Sequence, residues 1–317
     1  MTVLKYYRNV QKIYIAGHRG LVGSALTRAI DLRANIEWIG KSRENLDLLN
    51  REAVFEFLAN ENPDAVLVAA ARVGGIVANN SLPVEFLTDN IRISTNILDA
   101  CHDAKIPRVL FLGSSCIYPR MAPQPIKEEY LLTGPLEPTN ESYAIAKIAG
   151  LKLVQAYRRQ HGHRWISAMP TNLYGPGDNF DLETSHVLPA TLRKFVTAYE
   201  NGDKVVEMWG TGSPQREFLH VDDLAAACLH LLEHYDDESP INIGTGQDIT
   251  INQLAEIIAE IVGYKGEVFW DTSRPDGTPR KLLDVSRITR TGWKSSISLR
   301  DGIEETYKWY LEHVESV

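Results

Sequence analysis

The chain has 317 residues, 44% of them apolar, which suffices for one large core or two modest ones. A formal net charge of -8 argues against a nucleic-acid surface, and no uncharged apolar run of about 18 residues offers a membrane span. Three cysteines without CxxC spacing (Cys101, Cys116, Cys228) point away from disulfides and zinc and, with the polar stretch 1–11, toward a reducing cytoplasm.

In chain order, residues 12–16 read as a short strand, 21–32 carry helical periodicity, and 36–39 form a second strand. A helix over 51–60 and a strand over 65–69 follow, then a long helix over about 86–104 and an apolar strand over 109–112. The next helix carries Tyr143 and Lys147 and runs to about residue 160, before a strand over 165–169. This alternation predicts an α/β fold with a doubly wound parallel (Rossmann) sheet. Beyond Pro170 the pattern loosens. A helix over 187–199, short strands to about Arg216, a helix over 222–234 and a strand over 241–244 that returns to the main sheet are expected. Helices over 251–262 and 299–314 close the chain. The expected division is a nucleotide domain (1–172 and 218–246) and a smaller, discontinuous α/β substrate domain (173–217 and 247–317) over the sheet's carboxyl edge.

Between the first strand and first helix lies Gly17-His18-Arg19-Gly20-Leu21-Val22-Gly23, whose glycines let backbone N–H groups approach a pyrophosphate at a helix N-terminus. The second strand ends in Gly40-Lys41-Ser42-Arg43, without the acid that would bond a ribose 2′-hydroxyl. Arg43, with Arg19 and Lys41, can neutralise a 2′-phosphate instead, so NADP(H) is the expected cofactor. The alternative is that these are solvated surface charges. Asp47 and Leu48 lie where an adenine contact could fall, and Ala69 and Ala70 leave room for a cofactor to lie close.

The apolar strand runs into Gly113-Ser114-Ser115-Cys116. Strand alternation puts Ser114 and Cys116 on one side if the chain stays extended. Tyr143 and Lys147, four apart, share a helix face. A lysine ammonium there, with the positive nicotinamide of oxidised cofactor, would lower the tyrosine pKa, and the phenol can act as general acid towards a carbonyl oxygen that Ser114 also bonds. Cys116 is one proton-transfer group more than a simple reduction needs, unless it is a small buried hydrophobe. His186, before an apolar helix, reads equally as a helix-terminal or core histidine.

Several stretches, taken together, resemble the extended short-chain dehydrogenase/reductases, and among them closely the branch that converts GDP-4-dehydro-6-deoxy-D-mannose to GDP-L-fucose. They are Gly17–Gly23, Arg72-Val-Gly-Gly-Ile-Val-Ala-Asn-Asn80, Gly113-Ser-Ser-Cys-Ile-Tyr-Pro119, Glu137-Pro-Thr-Asn140, Tyr143-Ala-Ile-Ala-Lys147, Pro170-Thr-Asn-Leu-Tyr-Gly-Pro176, Ser185-His-Val-Leu-Pro189, Arg216-Glu-Phe-Leu-His-Val-Asp-Asp223 and Pro275-Asp-Gly-Thr-Pro-Arg-Lys281. The likeness spans essentially the whole chain, apart from several extra N-terminal residues and a shorter connection around 234–240. It implies 3,5-epimerisation and 4-reduction with NADPH, with Cys116 as base and His186 as acid, and with Tyr143 and Ser114 polarising the C4 oxygen. It further implies cofactor contacts at Leu112, Gly113, Ser114, Ser115, Tyr143, Lys147, Pro170, His186 and, at the sixth strand's end, Asn172 and Leu173. A GDP-sugar needs cations, for which Lys194, Arg216 and Lys281 lie in the matching segments, while Trp209 offers a flat surface and Asp276 an acceptor for guanine or ribose; the alternative for each is an ordinary surface or packing residue. A related GDP-sugar such as a 6-deoxy-heptose is the main alternative substrate; a UDP-sugar 4-epimerase and a dinucleotide-sensing regulator fit less well. A homodimer through the two long helices flanking the sheet is expected by analogy.

Overall fold

A computed structural model of the chain describes residues 10–182, 184–274 and 276–314. The extra N-terminal residues, and Pro275 at the head of the last motif, lie outside them. The first part runs β1 (Lys12–Ala16), α1 (Leu21–Asp31), β2 (Glu37–Ile39), α2 (Arg51–Glu61), β3 (Ala65–Val68), α3 (Ile76–Ser81), α4 (Pro83–Asp103), β4 (Arg108–Leu112), α5 (Glu141–His161) and β5 (Ile166–Pro170). The second runs β6 (Asn172–Tyr174), α6 (Val187–Asn201), β7 (Val205–Trp209), β8 (Gln215–Arg216), β9 (Phe218–His220), α7 (Val221–His234), β10 (Ile241–Ile243), β11 (Ile249–Thr250), α8 (Ile251–Val262), β12 (Glu267–Asp271), β13 (Arg280–Lys281), α9 (Ser286–Arg290) and α10 (Leu299–His313).

Six parallel strands form the main sheet in the order β10-β5-β4-β3-β1-β2. Alternation along β1 explains its two covered faces. Ile13 and Ile15 join a core with Leu26 of α1 and Leu224 and Leu231 of α7. Tyr14 and Ala16 face the other way, toward Leu98 of α4 and Leu151 of α5. The order reverses at β1, whose neighbours are β2 and β3, and crevices at such switch points are where open α/β sheets bind ligands. Local chemistry sets several element ends. Pro83 sits in the first turn of α4, which therefore begins earlier than its apolar periodicity suggests. Thr250 and Gln253 cap the start of α8 reciprocally.

A third core gathers Leu192 and Phe195 of α6, Val206 and Met208 of β7, Leu254 and Ile258 of α8, and Ile303 of α10. Short strands lie near it: β12 pairs with β7, β11 and β13 flank β8, and β6 pairs with β9. Asn172 and Leu173 thus belong to β6 in a separate small sheet and do not end a strand of the main one. Val285, Ile288 and Trp293, late in the chain, pack into the first core beside α7. Among the described residues no helix is long and apolar enough to cross a membrane.

Candidate active site

The glycine loop closes tightly on the end of β3. Gly17 adopts φ +88, and a Cβ there would lie 2.9 Å from the Ala70 Cα. A side chain on Gly23 would strike the Gly17 carbonyl oxygen. Gly20 donates its N–H to that oxygen at 3.0 Å and opens α1, whose first turn has no side-chain cap and no acid. The N–H groups and positive end of α1 therefore face the crevice uncontested, which suits a pyrophosphate. His18 fills the space between this loop and Gly40, with Nδ1 buried and free of protein partners, and burial followed by the Arg19 charge holds its pKa low. A cradle that tolerates no side chain, backed by a buried orphan nitrogen, fits a dinucleotide.

Of the three cations near the end of β2, Arg19 and Arg43 are exposed, and among the described residues neither enters an ion pair. Lys41 instead leans over the Phe57 ring of α2, its Nζ 5.9 Å from the centroid. The Asp47 carboxylate caps its own turn through the Leu49 N–H at 3.0 Å, and the Leu48 carbonyl accepts from the Asn96 amide.

Past Leu112 the structure departs from the extended path. Ser115–Ile117 wind into one 3-10 turn, and the Ser114 hydroxyl accepts the Cys116 N–H at 3.3 Å. The turn, not strand alternation, brings Ser114 and Cys116 together. Its causes are tertiary: Gly113 lies against the Met169 sulfur with no room for a side chain, and the Tyr118 hydroxyl donates to Asn242 at 2.6 Å beneath the loop.

From α5, Lys147 reaches under this turn and donates Nζ to the Leu112 carbonyl at 2.8 Å, 5.7 Å from the Tyr143 ring centroid. Only 4% of Lys147 is exposed, and burial draws its pKa from 10.5 down to about 8, with the Cys116 charge opposing. In the protein alone, burial, followed by the neighbouring Cys116, pushes the Tyr143 phenol up. Tyr143 is therefore held protonated. Burial also raises the Cys116 thiol, opposed in turn by Lys281, the Ser114 hydroxyl and Lys147.

His186 is the N-cap of α6 and keeps a solvent-exposed edge. The protein around it, then Lys281, holds its pKa below the usual value. The Lys281 charge thus opposes the rise at Cys116 and adds to the lowering at His186. Within the Arg72–Asn80 stretch, the Gly75 N–H donates to the Thr184 carbonyl at 2.8 Å, two residues before His186.

Arg216 on β8 and Lys281 on β13 are register partners in a parallel pair. Trp209 ends β7, next to Gly210, where an added Cβ would meet the Asp276 carboxylate. The indole is 56% exposed, with the Lys194 Nζ at 5.4 Å and the Arg274 guanidinium at 5.1 Å from its ring centroid. Asp276 is less free than expected: its two oxygens take the Thr211 N–H at 2.9 Å and hydroxyl at 2.8 Å. Sequence reasoning missed Arg274 and Glu217. Arg274 stands one residue outside the last motif, and Glu217 sits inside another but reads there as one more surface charge.

A dinucleotide cradle opening onto a protonated tyrosine, a buried lysine and a serine is the apparatus of a dinucleotide-dependent oxidoreductase or epimerase. The model of the NAD dependent epimerase/dehydratase family matches residues 13–244, and the chain belongs to that family. It is 54% identical over 303 residues to GDP-L-fucose synthase 1 of Arabidopsis thaliana, covering 96% of this chain and 94% of that protein. A GDP-6-OMe-4-keto-L-xylo-heptose reductase from C. jejuni superposes with a TM-score of 0.91 at 37% identity, over 95% of this chain and 98% of that one. A GDP-L-fucose synthetase from Naegleria fowleri bound to NADP gives a TM-score of 0.88 at 29% identity, over 96% and 95%.

Proposed function

We propose that the protein is an NADPH-dependent epimerase-reductase that converts GDP-4-dehydro-6-deoxy-D-mannose to GDP-L-fucose. The observation that carries this is the buried Lys147, donating to the Leu112 carbonyl 5.7 Å from the Tyr143 ring, beside the turn in which the Ser114 hydroxyl accepts the Cys116 N–H. Whole-length similarity to the Arabidopsis synthase supports the same reading.

Carbons 3 and 5 both flank the C4 ketone, so protons leave either through an enolate. Tyr143 and Ser114 hold the C4 oxygen as that charge develops. Cys116 takes the proton on one face and His186 returns one on the other, which inverts the centre. At rest Cys116 is a thiol and His186 neutral, so the working pair needs one proton moved from sulfur to imidazole. Lys281 favours the thiolate and disfavours the imidazolium, which makes the protonated histidine the stronger acid. NADPH bound in the crevice supplies the hydride for C4. Tyr143 then gives its proton to the oxygen, and Lys147 holds the tyrosine's surroundings through the Leu112 carbonyl. Arg216, Lys281, Lys194, Trp209 and Asp276 line the GDP side.

We further assign residues 1–172 and 218–246 to the cofactor and 173–217 and 247–317 to the sugar nucleotide, and place a homodimer across α4 and α5 in the cytoplasm. Likeness to the C. jejuni reductase favours a GDP-heptose as the second candidate substrate. Product analysis separates the readings: consumption of one NADPH per GDP-L-fucose supports the proposal, whereas an uninverted D-sugar as sole product contradicts it.

Cofactor choice has its own test. Arg43→Glu places a carboxylate where a 2′-phosphate would lie, and should raise the KM for NADPH by about tenfold or more while sparing NADH. An unchanged NADPH-to-NADH ratio would remove Arg43 from the site.

A further inference from the structure

Glu217 follows Arg216 in the chain and is 0% exposed. Its Oε1 accepts from the Gly246 N–H at 2.7 Å and the Thr245 hydroxyl at 3.4 Å, and its Oε2 accepts from the Leu283 N–H at 3.0 Å. Among the described residues the carboxylate has no ion-pair partner. A side chain on Gly244 would strike Oε1, so the loop after β10 is shaped around this group. The backbone is gripped as well: the Glu217 carbonyl accepts from the Asn172 amide at 2.8 Å and the Thr171 hydroxyl at 3.4 Å.

Burying a carboxylate without a cation is costly, and an apolar residue would fill the space more cheaply if filling were all that mattered. What the carboxylate adds is position. The pairing of Arg216 with Lys281 rests on two two-residue strands, too short to hold a register alone. Glu217, the residue between β8 and β9, is turned into the protein. There it holds the N–H two residues beyond Lys281, and through Gly246 and Thr245 it ties both strands to the end of the main sheet.

We propose that Glu217 is a positioning residue that sets Lys281 beside Arg216, so that the two cations meet the sugar nucleotide together. This rests on the reading of Arg216 and Lys281 as substrate cations, and the test separates the two. Binding of GDP and of NADPH is measured by calorimetry for Glu217→Gln and Arg216→Ala, with the thermal midpoint of each variant recorded. Glutamine keeps the shape but turns an amide donor toward a backbone donor. Glu217→Gln should weaken GDP about tenfold, leave NADPH within about twofold, and raise the KM for the GDP-sugar more than it lowers kcat. If Arg216→Ala weakens GDP and Glu217→Gln does not, the proposal fails. If Arg216→Ala binds GDP as the parent does, the underlying cation reading fails. Equal loss of GDP and NADPH affinity in Glu217→Gln would make Glu217 general scaffold and overturn the proposal. Should Glu217→Gln not fold, Glu217→Asp, which keeps the charge but not the reach to Leu283, is judged by the same criteria.

Discussion

Replacing Tyr143 with phenylalanine is expected to lower the rate of C4 reduction by roughly 10²–10⁴-fold, the range a positioned general acid contributes. The substitution removes one hydroxyl from a ring that Phe86 meets edge-on, 6.4 Å between centroids, so folding and NADPH affinity should change little. The size of the effect follows from the state of the phenol. A phenol is protonated at neutral pH and is a stronger acid than an alcohol, so Ser114 alone can bond the oxygen but is a poorer proton donor. Exchange of the protons flanking the ketone should suffer less than reduction, because Ser114 still supports the enolate. Steady-state NADPH oxidation gives the first number and solvent-exchange NMR the second. A fall in reduction of less than about tenfold would take Tyr143 out of the acid role.

Cys116→Ser carries the second large effect. A hydroxyl is far harder to ionise than a thiol, so the base is lost although the side chain keeps nearly its size. The turn itself should survive, because Ser114 accepts the backbone N–H of residue 116 whatever side chain stands there. Exchange at C3 and C5 should fall by about 10²-fold or more, with NADPH binding intact. Reduction of the uninverted ketone then becomes the main path, and the product shifts to a D-sugar. Retention of both exchange rates would assign the base elsewhere.

How much of this could be read from the chain depends on how local each cause is. Strands β1, β3, β4 and β5 are mostly apolar because both faces of a parallel sheet are covered, so their order along the chain was legible. So was the shared face of Tyr143 and Lys147. The turn at Cys116 was not, because it is imposed by Met169 and Asn242 from distant segments. Nor was the rise of the Tyr143 pKa in the protein alone, since desolvation depends on everything packed around the ring. Asp276 looked like a free acceptor only because Thr211 is far away in sequence. Lys281 presented itself as a phosphate cation, and its action on Cys116 follows from a two-residue strand that no periodicity could reveal. Glu217 was hidden for a related reason: a glutamate after an arginine in a polar stretch gives no sign that it will be wholly buried.

The central claim is that one ketone serves both inversion and reduction in one site. It is tested most directly by running the reaction with GDP-4-dehydro-6-deoxy-D-mannose and NADPH in deuterated buffer and reading the product by NMR. The account predicts GDP-L-fucose carrying deuterium at C3 and C5 and protium at C4. A product with protium retained at both C3 and C5 would contradict it.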